Sequence, residues 1–325
     1  MERRALYNSL RMGWLIDRNQ AVESWQVDDY RLLTPTDLFA RLALLDVHID
    51  KNTFVNLSDD FESPEELTDS IANDHQLEGK VSDQLYLLLF ELWRRFVPEK
   101  MSLSLFCDEL DHQIFLYDTA PSQDNHEALE YVINNLQILL DENVDAGGKP
   151  HEVFARVCEG CANHVENYLY DYTAEQIDGD NIPYAAELLD GFEKYVTDKK
   201  WFSLLRARVL GQTEGQEADI LIKKLLKDSK TAPELDFLFE VLEFLVQGGN
   251  PALFIEAVKL ALHHVKQEED LQEILNYSID YFHCLDREEK EAQVLRILEA
   301  RKKYSLEALV KPSDPAIAQL LALFR

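Results

Sequence analysis

Helix-length segments that restart at a fixed interval constrain this chain more than any motif in it. Three begin at residues 251, 269 and 287, eighteen residues apart, behind the polar junctions QGGNP, KQEED and LDREE. A pair of such helices with its connections takes about 36 residues, the length class of stacked helical-hairpin repeats. One unit of that kind cannot bury its apolar stripe alone, so neighbours must stack. The expected fold is therefore all-α: stacked antiparallel helix pairs in an α-solenoid or helical-repeat-like superhelix. The three helices are expected at 251–266, 269–285 and 287–303, and others at 184–196, 198–210, 217–228, 233–247 and 314–325. Asn250 followed by Pro251 is a strong helix start, a capping side chain before a proline at the first helical position. The tetratricopeptide and ankyrin signatures are absent: in YAAELLDGFEKYV the position four before Gly191 holds Glu187, and T-P-L-H does not occur.

The N-terminal half is also helical but less evenly spaced. SDQLYLLLFELWRRFV (82–97) opens on Ser82 and stops before Pro98, a residue that cannot continue a helix. In 102–118, Leu103, Phe106, Leu110, Ile114 and Tyr117 recur at steps of three and four and make one stripe. A further helix spans 125–144 and ends near Gly147–Gly148, and 151–177 reads as one helix running to the turn DGDNIP. The stretch 33–50 reads as one helix, and Ser63-Pro64-Glu65-Glu66 as a capped start with Glu66 at the capping-box position. The DGDNIP turn suggests two regions, an acidic N-terminal helical region at 1–180 and a C-terminal helical-hairpin array at 181–325. One continuous superhelix is the alternative.

Charge narrows the partners. The formal net charge is −29, with 40 acidic and 16 basic residues in 1–200 against 21 and 16 in the remainder. Such a surface repels phosphate backbones and anionic lipid, so neither nucleic acid nor membrane is an expected partner. No apolar run reaches the ~18–20 residues of a membrane span. The apolar run of MERRALYNSLRMGWLIDRNQ ends at Asp17, too short for a signal-peptide core. Four cysteines in 325 residues make no disulfide framework. A cytoplasmic protein is the expectation.

Two constellations have metal-ligand chemistry. Cys158, Cys161 and His164 follow one another at steps of three, but tetrahedral zinc needs four ligands and no second pair follows. On a continuous helix the three would spread over about 120°, a packed face on which free cysteine acts as a small hydrophobe. Glu109-x-x-His112 has the spacing used in di-iron bundles, where both ligands project from one helix. No second Glu-x-x-His accompanies it, and a solvated face is the simpler expectation. His263 and His264 sit at a helix end, where they complement the dipole. Phosphate-loop, dinucleotide, nucleophile-elbow and H-E-x-x-H motifs are absent, so no catalytic residue is assigned and no cofactor is expected.

Aromatic clusters offer binding chemistry instead. Tyr168, Tyr170 and Tyr172 lie among acids, and Trp201 and Phe202 stand near Arg206 and Arg208, the basic spot of an acidic region. Tyr, Trp and Arg dominate the centres of protein interfaces. The leading expectation is a non-enzymatic interaction scaffold, adaptor or chaperone that takes a protein or peptide with a basic segment. The alternative is a metal-binding helical protein, an enzyme among the options, using Glu109/His112 or Cys158/Cys161/His164.

Overall fold

A computed structural model describes residues 2–325, and every regular element among them is a helix. The first ones are α1 (Arg3–Ile16), the short α2 (Ser24–Val27), a 3-10 turn at Tyr30–Leu32, α3 (Pro35–Leu44) and α4 (Lys51–Ser58). Next come α5 (Pro64–Asp74), α6 (Lys80–Phe96), α7 (Leu103–Thr119), α8 (Gln123–Asp145) and α9 (Pro150–Gly160). They are followed by α10 (Val165–Asp178), α11 (Ile182–Phe192), α12 (Lys199–Thr213), α13 (Gly215–Ser229) and α14 (Leu235–Val246). The chain closes with α15 (Pro251–His264), α16 (Glu268–Cys284), α17 (Glu288–Arg301) and α18 (Pro315–Leu323). Two compact units divide within α10, Met1–Tyr168 and Leu169–Arg325, upstream of the 180/181 boundary expected from the DGDNIP turn. No described helix is long and apolar enough to cross a membrane.

The second unit is built of pairs. α12 packs on α13, α14 on α15 and α16 on α17, while α14 also touches α12 and α16, and α13 touches α15. The second helices of the pairs begin at Gly215, Pro251 and Glu288, 36 and 37 residues apart. The pair length is therefore as expected, but the even step of eighteen is not, since α16 begins at Glu268 and α17 at Glu288. Stacking constrains the pair, because the pair is the unit that meets its neighbours, and the loop inside it is free to vary. Phe237, Leu238, Val241, Leu242 and Leu245 bury one face of α14, and Phe254 stacks on Tyr281 with centroids 3.9 Å apart.

In the first unit α6 is the central helix, buried from Leu85 through Trp93. A helix apolar almost all round needs neighbours on every side, and α6 has α3, α5 and the 3-10 turn. Glu91, its one buried charge, accepts from Arg94 and Arg95, and Arg95 goes on to the Tyr30 and Arg31 carbonyls. Side-chain caps fix several of the helix starts: Ser63 accepts from Glu66 N, and Asn250 from Ala252 N. Glu66 reaches one residue past its capping-box target, to Glu62 N.

Three local expectations change. The 33–50 helix ends at Leu44, because Asp46 turns left-handed (φ 63°) and Val47 N returns to Leu42 O, a Schellman-type stop. Asp50 then caps α4 through Thr53 N. α6 begins at Lys80 behind Gly79 (φ 55°), a turn ahead of Ser82. The helix expected at 151–177 is two helices, α9 and α10.

Candidate functional surfaces

The break between α9 and α10 is imposed from fifty residues upstream. Asp111 on α7 accepts Ala162 N at 2.9 Å and Asn163 N at 3.0 Å, together with the side-chain amides of Asn163 and Asn8. Those backbone donors would otherwise continue the α9 ladder. Gly160 lets the helices approach, since a Cβ there would lie 2.8 Å from the Cys107 sulfur. One turn earlier on α7, Asp108 is 3% exposed and accepts from Arg4 (2.6 Å), Asn8 (3.1 Å) and Arg31 (2.6 Å). Burial alone would raise the Asp108 pKa, but the two guanidiniums outweigh it and hold the carboxyl far below its ordinary range. Asp111, whose donors are neutral, is raised by burial.

The sequence-designated metal candidates lie around this junction without converging. Cys161 is buried, Cys158 half-buried and His164 exposed, with Cys161 in the extended connection rather than on a helix face. The nearest thiol to Cys161 is the distant-in-sequence Cys107, which hydrogen-bonds with it and donates to Val157 O at 3.6 Å. That hydrogen bond and burial push the Cys161 thiol far up, and burial with the nearby Glu166 pushes Cys158 up to about 12. These are neutral packing thiols at physiological pH. An aromatic disulfide reagent at neutral pH is expected to label the exposed Cys284 rapidly, and Cys107, Cys158 and Cys161 only on unfolding. Rapid native labelling of Cys158 would contradict this placement.

Glu109 and His112 are likewise engaged elsewhere. Glu109 accepts from Arg31 at 2.9 Å and from Gln113 at 2.7 Å. Burial and Arg31 lower the His112 pKa, which favours neutral imidazole. The cavity that His112 lines holds about 40 Å3, the room of roughly one water. Among the described residues no group of three or more His, Cys, Asp or Glu is placed to hold a metal ion.

The aromatic candidates separate into packing and surface. Phe202 and Tyr172 are in the core, Tyr172 edge-on to Tyr184, and Tyr168 is half-buried in the first unit. Arg206 is neutralised by Asp190 and Glu193, and Arg208 by Asp178. Tyr170 and Trp201 meet edge-on at 5.4 Å, and Trp201 rests on Phe237 at 5.2 Å. From there an acidic and aromatic face extends onto α14 and α16, which together carry eight carboxylates and neither Lys nor Arg. Tyr170 OH donates to Glu240 at 3.3 Å, and Phe239 lies 6.1 Å from Tyr277. The Tyr277 phenol is raised by burial and by Glu273, Glu243 and Glu240, so the fields of three carboxylates from two helices act on one ring. Burial and then Glu243 raise the Glu240 pKa in turn, leaving its ionised form short of a compensating cation. Arg208, already paired to Asp178, touches this field at its α12 end. Of this face Tyr170 and Trp201 were legible in the sequence as candidates, and Phe239, Glu240, Glu243, Glu273 and Tyr277 were not. The absence of Lys and Arg from both helices was the available signal.

A second acidic face lies in the first unit. On α8, Tyr131 (67% exposed) and Ile138 (55%) stand two turns apart, with Asp124 and Glu127 before them and Glu142 and Asp145 after. All six fall within about 60° of the helix circumference. Comparison of the chain with models of protein families, with curated proteins and with solved structures returns no match.

Proposed function

We propose that this chain is a non-enzymatic interaction protein, an adaptor or scaffold that holds a basic segment of a partner on the α10–α12–α14–α16 face. The observation that supports it is the acidic and aromatic surface of α14 and α16, where Tyr170 OH donates to Glu240, Phe239 lies beside Tyr277, and neither helix carries Lys or Arg. Carboxylates that share a field whose one nearby cation, Arg208, is already paired to Asp178 are stabilised by an arriving Lys or Arg. Its cationic head can also lie over the Tyr277 or Tyr170 ring, worth about 0.5–2 kcal/mol depending on desolvation. Apolar side chains of the segment would rest on Phe239 and Trp201, which are only partly covered. A face of this kind reads charge and one or two anchors, the usual economy of helical-repeat recognition.

The test is fluorescence anisotropy with a labelled peptide of alternating Lys/Arg and Leu, against its Glu-for-Lys counterpart. Binding of the basic peptide is expected to weaken about tenfold or more between ~50 and ~300 mM salt, as screening shortens the field. Glu240→Gln with Glu273→Gln is expected to cost a similar factor of about ten, or ~1.4 kcal/mol. Binding should also weaken as pH falls through the raised Glu240 pKa, because protonation removes the charge that the cation meets. Salt-independent binding, or equal binding of the acidic peptide, would sink the proposal. If the α14/α16 variants bind normally while Asp124→Asn with Glu142→Gln does not, the basic segment sits on the α8 stripe instead.

A further inference from the structure

The last stretch of the second unit, 301–325, carries five basic residues against two acidic. α17 and α18 border an open cleft of about 610 Å3, with Ile297, Ala300, Ala322 and Leu323 among its apolar lining. Its one lining carboxylate, Asp314, is already engaged: it accepts Ala316 N at 2.9 Å and Arg301 at 2.8 Å. Arg296 and Lys303 also line the cleft, both are exposed, and neither makes an ion pair among the described residues. Lys303 lies 5.2 Å from the Tyr304 ring centroid, so the cation is held by the aromatic and not by an acid. With Asp314 occupied by Arg301, Arg296 and Lys303 face the apolar lining with no free carboxylate among the cleft's lining residues.

We infer that this cleft binds an acidic protein segment, its carboxylates on Arg296 and Lys303 and one apolar side chain between α17 and α18. Arg296 lies on α17 and Lys303 in the turn just past its end, and both line the cleft. The apolar lining favours a protein segment over a free anion, which would gain nothing from Ile297 or Leu323. Arg's planar guanidinium can take a carboxylate bidentately, which orients the segment. The inference does not rest on the basic-segment reading, whose surface has the opposite charge and whose probe is the opposite peptide.

The test uses the full chain and a labelled peptide of alternating Glu and Leu, with its Lys-for-Glu counterpart, inorganic phosphate and anionic phospholipid vesicles as comparators. The acidic peptide is expected to bind in preference to the basic one at this cleft. Arg296→Glu with Lys303→Glu should weaken it at least about tenfold, a change of ~1.4 kcal/mol. Ala300→Trp, at an exposed position that fills the cleft without altering charge, should weaken it comparably. Both variants change exposed side chains, and unchanged thermal unfolding will show that the fold is kept. The inference is overturned if the wild-type chain does not bind the acidic peptide, or if either variant binds it as the wild type does. It is also overturned if phosphate displaces the peptide more effectively than chloride at equal ionic strength, or if the vesicles bind at Arg296 and Lys303 in preference to the peptide.

Discussion

Replacing Asp108 by Ala is expected to lower the unfolding free energy by about 3–5 kcal/mol, the usual cost of removing one partner from a buried ion pair. The carboxylate joins three elements: Arg4 and Asn8 from α1, Arg31 from the 3-10 turn, and α7 itself. Without it two nearly buried guanidiniums face each other, with only Glu109 left to Arg31. Asp108→Asn should recover little, since a neutral amide restores shape and not charge. The pH dependence has a definite sign. A carboxyl whose pKa is depressed on folding contributes stability that is fully present above the unfolded value of ~3.9 and is lost as pH falls toward the folded value. The gap between wild type and Asp108→Ala, measured by urea denaturation, should therefore be widest near neutrality and shrink below about pH 4. A gap that stays constant down to acid pH would show that Asp108 acts through packing alone.

Glu268 and Arg301 should behave as a unit. Glu268 is 1% exposed and bidentate with Arg301 at 2.7 and 2.5 Å, and Arg301 also holds Asp314. The three tie the start of α16 to the end of α17 and the start of α18. Glu268 N and Glu269 N meanwhile bond the carbonyls of Ala308 and Leu306. Arg301→Ala is expected to cost about 3–5 kcal/mol because it strands the buried Glu268, and Glu268→Ala to cost less, because Arg301 keeps Asp314. Replacing both together, Glu268→Leu with Arg301→Met, should cost less than either alone, since apolar residues of similar volume have no desolvation to recover. Denaturation of the four proteins in a double-mutant cycle decides it: additive costs would mean that the two side chains do not depend on each other.

Helix positions were largely legible because their causes are local. The stripe from Leu103 to Tyr117, the Asn250–Pro251 start and the Ser63 cap are written within one or two turns of sequence, and all three stand in the fold. The misplaced boundaries have causes that spacing does not record. The helix from 151 breaks because Asp111, on another helix, takes the N–H groups of Ala162 and Asn163. Cys161 has no partner nearby in sequence, yet Cys107 comes to it when α7 crosses Gly160.

Charge divides the same way. The sequence alone determined that this chain is helical, that its C-terminal part repeats in pairs of about 36 residues, and that it carries a large negative charge. Tertiary structure decided which charges remain to be used. Arg206 and Arg208, the basic spot in the sequence, are neutralised by Asp190, Glu193 and Asp178, while Arg296 and Lys303 are left facing a cleft. Helix propensity and capping act over three or four residues, so a linear pattern holds them. An ion pair depends on which helices stack, and that is settled only when the apolar stripes have found each other.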